Sequence, residues 1–194
     1  MVKIKKPEKT PRFSAAGVFL FCVVILTGFT CCMTSVPATL TYSHPFYVRD
    51  VPFYPGEDYQ CGPSVLAGVL NNLGYDIVPE DISREIYLRK VKGTLNIDMV
   101  SFARRLEDIT VTEFYGDLTL LRENLSMGYP LIVFVDLGIW SIRKGHYMLV
   151  VGYDDSIGGV IVYSGAKKDK VIGYKEFMRM WERGGYWALR IAKE

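Results

Sequence analysis

Apolar and polar positions follow three different patterns along this chain. Residues 15–33 are almost continuously apolar. Between residues 62 and 127 apolar residues recur at helical spacing, which predicts helices over residues 62–73, 80–88, 96–106 and 118–127. An alternating stretch predicts a strand over residues 110–115.

The second half of the chain has short apolar runs, several of them bounded by Gly and Asp residues. They predict strands over residues 130–135, 147–153, 160–163 and 186–191, and an amphipathic pattern predicts a last helix over residues 174–183. Helices followed by antiparallel strands are typical of an α+β fold. Between two of these runs, a solvated turn is predicted at Lys167, Lys168, Asp169 and Lys170.

The helix over residues 62–73 has the most complete set of features. Its apolar residues share one face, at Val65, Leu66, Val69, Leu70 and Leu73. Pro63 suits the first turn, and Gly74 suits the C-terminal end. By similar reasoning, Asn96 is expected to cap the helix over residues 96–106.

The apolar stretch at residues 15–33 follows a basic segment and precedes a small, polar, proline-containing one. This order is typical of an export signal, and about 19 apolar residues also suffice to span a bilayer. We therefore predict a signal peptide or membrane anchor over residues 1–33, a linker over 34–47 and a folded domain over 48–194. Because the basic side stays inside, the domain is expected outside the inner membrane.

Three fates of this N-terminal segment remain open. It is cleaved in the ordinary way, for example after Ala38, or it stays as an anchor, or it is cleaved and lipidated on Cys31 or Cys32. Residues 26–32 resemble a bacterial lipoprotein signal, although Thr30 stands where that pattern has Gly, Ala or Ser. We expect the domain either to be anchored on the outer face of the inner membrane or to be a lipoprotein.

The composition is that of an ordinary globular protein, with 49% hydrophobic and 23% charged residues. This balance excludes disordered, collagen-like and coiled-coil chains. The net charge is +2, but five basic residues stand against one acidic residue in residues 1–32, so the remainder has a net charge of −2. Binding to nucleic acid through bulk positive charge is therefore not expected.

Cysteine placement singles out one thiol. Three of the four cysteines lie in the leader, so Cys61 is alone in the domain and a disulfide framework is excluded there. A lone thiol in an oxidising compartment favours a chemical role, although free cysteines are also common as small buried hydrophobes. Cys61 directly precedes the first predicted helix, whose positive end lowers a thiol pKa and whose N–H groups can hold an oxyanion.

A thiolate nucleophile needs a general base, and the chain has two histidines. His44 lies in the predicted linker, whereas His146 opens an apolar strand from which it can reach across a cleft. Cys61 and His146 together predict a nucleophile and a base that later acts as an acid. The domain has too few Cys and His residues for a metal cluster and no Gly-rich phosphate loop, so no metal or cofactor is expected.

The residues around both positions resemble one family. The motif QCGPSVLA at residues 60–67 and the motif GHY at residues 145–147, which leads into VVGYDD at residues 150–155, are similar to motifs of the bacteriocin-processing peptidases. These papain-like enzymes, family thirty-nine of the cysteine peptidases, remove double-glycine leader peptides and are often fused to ABC exporters. Segments GTL at residues 93–95 and GYWAL at residues 185–189 resemble its stand-alone, exported lipoprotein branch.

The resemblance covers about residue 51 to the C-terminus. It implies a papain-like α+β fold, in which the Cys61 helix packs against an antiparallel sheet that carries His146. It also implies cleavage of a peptide or protein substrate, for example after Gly-Gly in a leader peptide. A transport partner is expected to be a separate export system.

One departure from the family concerns the oxyanion. The family places a glutamine five or six residues before the cysteine as a side-chain donor, whereas this chain has Pro55 and Gly56 there. Gln60 and the Tyr54 hydroxyl are the candidate substitutes, since loss of one such donor typically costs about 10²–10³ in rate.

A second departure concerns the group that orients the histidine. The family has Asp or Asn on the next strand, where this chain has Ser164. Ser164 offers only a neutral acceptor, and Asp154 and Asp155, which follow the histidine strand closely, are the alternative orienting groups.

Trp140 lies in the loop before His146 and is, with Tyr54, a candidate for substrate contact. Three functions remain open. The first is a peptidase. The second is a peptide-binding module with little catalysis, which both departures favour, and the third is an acyltransferase that uses the same Cys61–His146 dyad.

Overall fold

The computed structural model describes residues 45–56 and 60–194 of the 194-residue chain. The predicted leader over residues 1–33, with Cys31 and Cys32, lies outside the described residues, and so does His44. Within the described ranges, no helix is both long enough and apolar enough to cross a membrane.

Helices dominate the first half of the described chain and strands the second. The helices are α1 (Cys61–Asn72), α2 (Pro79–Ile86), α3 (Asn96–Ala103), α4 (Leu118–Ser126) and α5 (Tyr174–Arg183). The strands are β1 (Phe46–Tyr47), β2 (Ile109–Tyr115), β3 (Leu131–Asp136), β4 (Gly145–Asp154), β5 (Gly159–Ser164), β6 (Lys167–Gly173) and β7 (Trp187–Lys193).

The strands form one antiparallel sheet in the order β2-β7-β3-β4-β5-β6. β1 pairs with β4 at Gly152 and Tyr153, just beyond the part of β4 that pairs with β3. β3 and β4 are the most completely buried strands, as their continuous apolar runs require of central strands. The helices α1, α4 and α5 contact these central strands, which completes the α+β arrangement.

Most of the elements predicted from the sequence occur with ends shifted by one to three residues. Asn96 is not the N-cap of α3: Leu95 occupies that position, and the Asn96 side chain accepts a hydrogen bond from the Tyr147 hydroxyl instead. Phe46 and Tyr47 belong to the sheet rather than to the linker predicted over residues 34–47.

The solvated turn predicted around Asp169 is wrong, because those residues lie in β6 at the edge of the sheet. β6 holds its place through backbone pairing with β5, so it does not need an apolar face. Its lysines are typical of edge strands, where charge discourages pairing with another chain.

α1 packs closely on β4 because Gly68 has no side chain. A Cβ atom at Gly68 would lie 2.9 Å from the Pro52 carbonyl oxygen and 3.3 Å from Leu149 Cδ2. Any larger residue would push α1 away from β4 and from the segment before α1. This contact fixes the helix that begins at Cys61 over the strand that begins near His146.

Candidate active site

Cys61 is the first residue of α1, one position earlier than the helix predicted from the sequence. Its thiol is buried and forms no disulfide within the described part of the chain. Gln60 at the N-cap makes no side-chain capping bond, and the first turn carries no acidic side chain. The positive end of the α1 dipole therefore reaches Cys61 without a neutralising carboxylate in its first turn.

The segment before α3 forms a wall beside Cys61. A Cβ atom at Gly62 would lie 3.1 Å from Thr94 Cβ, so this segment lies tight against the start of α1. The Tyr147 hydroxyl donates to Asn96 Oδ1 at 2.6 Å and lies 3.2 Å from the Thr94 carbonyl oxygen, which ties β4 to the same wall. Burial, followed by the nearby charges of Cys61 and Asp98, raises the Tyr147 pKa, so the phenol stays protonated.

His146 is the second residue of β4, pairs with Val135 of β3 and is 5% exposed. Its Nε2 atom lies 3.0 Å from Ser164 Oγ at the end of β5. Either atom of this pair can donate, depending on the imidazole tautomer. Of the three residues considered as partners of His146, which were Ser164, Asp154 and Asp155, Ser164 contacts its ring.

The two carboxylates considered for the same role lie elsewhere. Asp154 accepts hydrogen bonds from the hydroxyl and the backbone N–H of Ser156, and these bonds lower the Asp154 pKa. Asp155 pairs with Arg122 and accepts a hydrogen bond of 2.7 Å from the Tyr174 hydroxyl. Asp154 is the last residue of β4 and Asp155 follows it, about eight residues and some 25 Å along the strand from His146.

The turn after β5 connects both sides of the site. While Ser164 contacts His146, the next carbonyl, of Gly165, accepts a hydrogen bond of 3.2 Å from the Gly56 N–H. Gly165 has a φ of 59°, a left-handed conformation that favours glycine. The turn therefore holds His146 and the segment before Cys61 at once.

A small recess, with room for about 10 Å³ of water-sized space, lies beside Cys61. Its walls come from the segment before α1, the first turns of α1, β4 and the turn after β5. Residues from these four parts are Tyr54, Gly56, Cys61, Ser64, Tyr147 and Ser164. The recess thus brings together Cys61 and Ser164, the residue that contacts His146.

The two candidate substitutes for the family's oxyanion donor are placed differently. The Tyr54 ring lines the recess, but its hydroxyl accepts a hydrogen bond of 2.5 Å from Asn71 Nδ2 near the end of α1. Ten helical residues separate Asn71 from Cys61, which is about 15 Å, so the Tyr54 hydroxyl lies away from the thiol. Gln60 is partly exposed directly before Cys61.

Trp140 is 94% exposed at the tip of the loop that joins β3 to β4. Asp136 at the loop's base accepts hydrogen bonds from the Gly138 and Lys144 N–H groups, at 2.8 and 2.9 Å. Its second oxygen lies 3.3 Å from Arg183 of α5. Burial raises the Asp136 pKa, but these hydrogen bonds and the Arg183 charge outweigh burial and lower it.

Sequence reasoning missed Asp136 and also Ser64, a buried residue of the recess. A signal existed for Asp136, because an Asp that ends an apolar run two residues before a Gly is typical of an Asx-turn. Ser64 gave no local signal, since its burial depends on the packing of α1. Within the described residues, no group of three or more His, Cys, Asp or Glu side chains is arranged to hold a metal ion.

A family model described as the Peptidase_C39 like family matches residues 48–189. The chain belongs to this family. The match includes Cys61 and His146, and the motifs around these two residues indicated the same family. The predicted family is therefore confirmed. No curated protein matches the chain.

Solved structures of peptidases share the fold. A protein from Bacillus anthracis described as a C39-like peptidase has a TM-score of 0.66 at 15% identity, covering 78% of this chain and 98% of its own. The peptidase domain of Streptococcus ComA, a bi-functional ABC transporter involved in a quorum sensing pathway, has a TM-score of 0.59 at 23% identity, covering 74% and 99%.

A double glycine motif protease from an AMS/PCAT transporter, solved in complex with its leader peptide, is also similar. Its TM-score is 0.60 at 17% identity, and the match covers 77% of this chain and 95% of that chain. The predicted papain-like α+β fold, with helices packed on an antiparallel sheet, is confirmed by these matches.

Proposed function

We propose that this Peptidase_C39 like protein is a cysteine peptidase, with Cys61 as nucleophile and His146 as general base. One observation carries the proposal: Cys61 begins α1, α1 packs on β4, and β4 begins with Gly145 and His146. A thiol at a helix start and a histidine on the strand beneath it are the two groups that covalent acyl transfer requires.

The His146–Ser164 contact suggests which nitrogen takes the proton. When Nε2–H donates to Ser164 Oγ, Nδ1 carries the lone pair that accepts the Cys61 proton. The thiolate then adds to the peptide carbonyl carbon, and His146 returns the proton to the leaving amine. Water hydrolyses the acyl-enzyme, while the N–H groups at the start of α1 face the developing oxyanion.

Ser164 also limits the proposed rate. A neutral hydroxyl stabilises an imidazolium less than a carboxylate does, so the ion pair of thiolate and imidazolium is less populated. We therefore expect slow turnover. The same observation favours the second candidate function, a peptide-binding module that has the recess but little catalysis.

The proposed substrate is a peptide or protein with small residues, such as Gly-Gly, before the cleaved bond. The support comes from the fold shared with a double glycine motif protease that was solved with its leader peptide. Trp140 supplies a large exposed apolar surface in the loop leading to His146, and we propose that it contacts the substrate.

We further propose that the N-terminal segment exports the domain and attaches it to the outer face of the inner membrane, or that it is lipidated. The support is the basic, apolar and polar order of residues 1–42. A mass spectrum of the mature N-terminus separates lipidation on Cys31 or Cys32 from cleavage after Ala38 and from an intact anchor. Any export system that delivers a substrate would be a separate partner.

Product analysis tests the proposed activity. The full chain in detergent is incubated with peptides that contain Gly-Gly, with an added amine, and the products are identified by mass spectrometry. A new free carboxyl end, absent from the Cys61→Ser variant and reduced about 10²–10⁴-fold in His146→Ala, is expected of a peptidase. An amide of the added amine indicates an acyltransferase, and binding without any product indicates the binding module.

A further inference from the structure

The loop between β3 and β4 exposes three large apolar side chains that the proposed dyad does not use. Ile139, Trp140 and Ile142 are 70%, 94% and 73% exposed, and they lie within four consecutive residues. Single exposed apolar residues are ordinary, but a contiguous set on a folded domain marks a contact with another protein or with a membrane. We call residues 139–142 the β3–β4 tip.

The β3–β4 tip is a tight turn. The Ile142 N–H donates to the Ile139 carbonyl at 3.1 Å, which closes a β-turn with Trp140 at its first central position. Trp140 has a φ of 58°, a left-handed conformation that a bulky side chain rarely adopts. Gly, Asn or Asp would suit this position better for folding, so the stability of the turn does not explain the tryptophan.

The base of the loop is held by further contacts. A Cβ atom at Gly138 would lie 1.8 Å from the Ile142 carbonyl oxygen, so the two sides of the loop approach closely. Arg183 of α5 donates to the Gly138 carbonyl at 2.6 Å, and the Leu137 N–H donates to the Lys144 carbonyl at 2.8 Å. Because these backbone groups are bonded within the protein, the tip can enter an apolar surface without leaving them unpaired.

Positive charge adjoins the β3–β4 tip. Arg143 and Lys144 directly follow the turn and are exposed, and no acidic residue occurs in residues 137–153. Asp136 at the base is buried, with one oxygen 3.3 Å from Arg183. Basic residues beside exposed aromatic and aliphatic ones are typical of segments that lie in the interface of an anionic bilayer, where the cations face the lipid headgroups.

We propose that the β3–β4 tip docks on an anionic phospholipid bilayer, with Trp140 at the boundary between headgroups and acyl chains. Tryptophan favours this boundary because its ring is apolar and its N–H is polar. A bilayer fits better than a second protein because the same chain has the apolar stretch at residues 15–33, which we propose attaches the domain to a membrane. A peptide substrate on the same lipid surface would meet Trp140 there, and docking does not require peptidase activity.

The chain between the apolar stretch and the domain is long enough to allow docking. β1 pairs with β4 at Gly152 and Tyr153, so the chain enters the domain near the end of β4 opposite the tip. Residues 34–45 can span at most about 40 Å, whereas β4 is about 33 Å long. Attachment through residues 15–33 therefore permits the tip to reach the bilayer, but attachment alone gives no preference for the tip over the opposite end.

Tryptophan fluorescence tests the docking. The chain has three tryptophans, and Trp181 and Trp187 are buried, so a quencher outside the domain acts mainly on Trp140. The full chain is reconstituted into vesicles of equal parts phosphatidylcholine and phosphatidylglycerol, with or without bromine on the acyl chains. Bromine should quench the wild type severalfold more than Trp140→Phe, which reports the two buried tryptophans.

Two variants make the result specific to the tip. Trp140→Phe/Ile157→Trp moves the exposed tryptophan to the turn between β4 and β5, at the opposite end of β4, where bromine should quench it severalfold less. Ile139→Ser/Ile142→Ser keeps Trp140 but removes the two apolar side chains beside it, so most of the bromine quenching should be lost.

The outcomes separate docking from the other proposals. Equal bromine quenching at positions 140 and 157, or quenching that Ile139→Ser/Ile142→Ser does not reduce, overturns the docking of the tip and leaves the N-terminal attachment standing. If a Gly-Gly peptide shields Trp140 from aqueous acrylamide and the vesicles do not, the tip binds peptide and the lipid proposal is wrong. Protein that does not sediment with the vesicles overturns both docking and attachment. Because no step uses catalysis, failure of the peptidase function is a separate result.

Discussion

His146 Nε2 lies 3.0 Å from Ser164 Oγ, and no carboxylate considered for this position lies near the ring. The hydroxyl can fix the orientation of the imidazole, but it adds no negative charge to stabilise the imidazolium. The site thus combines a strand-mounted histidine with a neutral partner.

Ser164→Asp is expected to increase activity. A carboxylate next to the ring raises the His146 pKa and stabilises the thiolate–imidazolium pair, so kcat/KM should rise by about tenfold or more. The alkaline limb of the pH–rate profile reports loss of the imidazolium proton and should therefore move to higher pH. Steady-state kinetics across pH measures both effects.

Asp154→Ala is the matched control for Ser164→Asp. Asp154 holds Ser156 at the far end of β4, so its removal should leave the pH–rate profile unchanged. A Ser164→Asp variant with unaltered kcat/KM and an unmoved alkaline limb would show that this position does not govern the histidine.

Asp136→Asn tests how the loop before His146 is positioned. The Gly138 and Lys144 N–H groups both donate to Asp136 Oδ1, and the Asn oxygen can keep these two bonds. The Asn NH₂ group then faces Arg183 in place of the charged Oδ2, so the ion pair is lost and two donors oppose each other. The free energy of unfolding should therefore fall by about 1–3 kcal/mol near neutral pH, measured by urea denaturation.

The difference in free energy of unfolding between the wild type and Asp136→Asn should depend on pH. Because the Asp136 pKa is lower in the folded state than in the unfolded state, its contribution is fully present above the unfolded pKa and is lost as pH falls through the folded pKa. The wild type and Asp136→Asn should therefore converge in stability below about pH 4. A difference that is constant from pH 7 to pH 3 would contradict the assigned charge interaction.

Trp140→Ala separates substrate contact from stability. The side chain is 94% exposed, so the free energy of unfolding should change by no more than about 0.5 kcal/mol. If Trp140 contacts the peptide, KM should rise severalfold while kcat changes little. Ile157→Ala, an exposed apolar residue in the turn between β4 and β5, is the control, and an equal effect on KM from both variants would argue against a specific contact.

The sequence allowed the central elements to be predicted because their signals are local. The apolar face of α1, Pro63 in its first turn and Gly74 after its end define that helix without tertiary information. The continuous apolar runs of β3 and β4 define central strands in the same way. These elements carry Cys61 and His146, so the proposed dyad was accessible from the sequence.

Other features depend on contacts between distant segments. β6 has no apolar alternation, and its pairing with β5 gives no local signal. The Asn96 side chain suits an N-cap but bonds to Tyr147, 51 residues away. The contact of Ser64 with Gly56 exists only because α1 and the segment before it pack together.

The central claim is that Cys61 is a nucleophile activated by His146. Alkylation by iodoacetamide across pH, quantified by mass spectrometry on the peptide that contains Cys61, tests it most directly because no substrate is required. In the wild type the apparent pKa of Cys61 should lie well below the free-thiol value of about 8.5, and His146→Ala should return it toward that value. An apparent pKa near that of a free thiol in both proteins would contradict the claim.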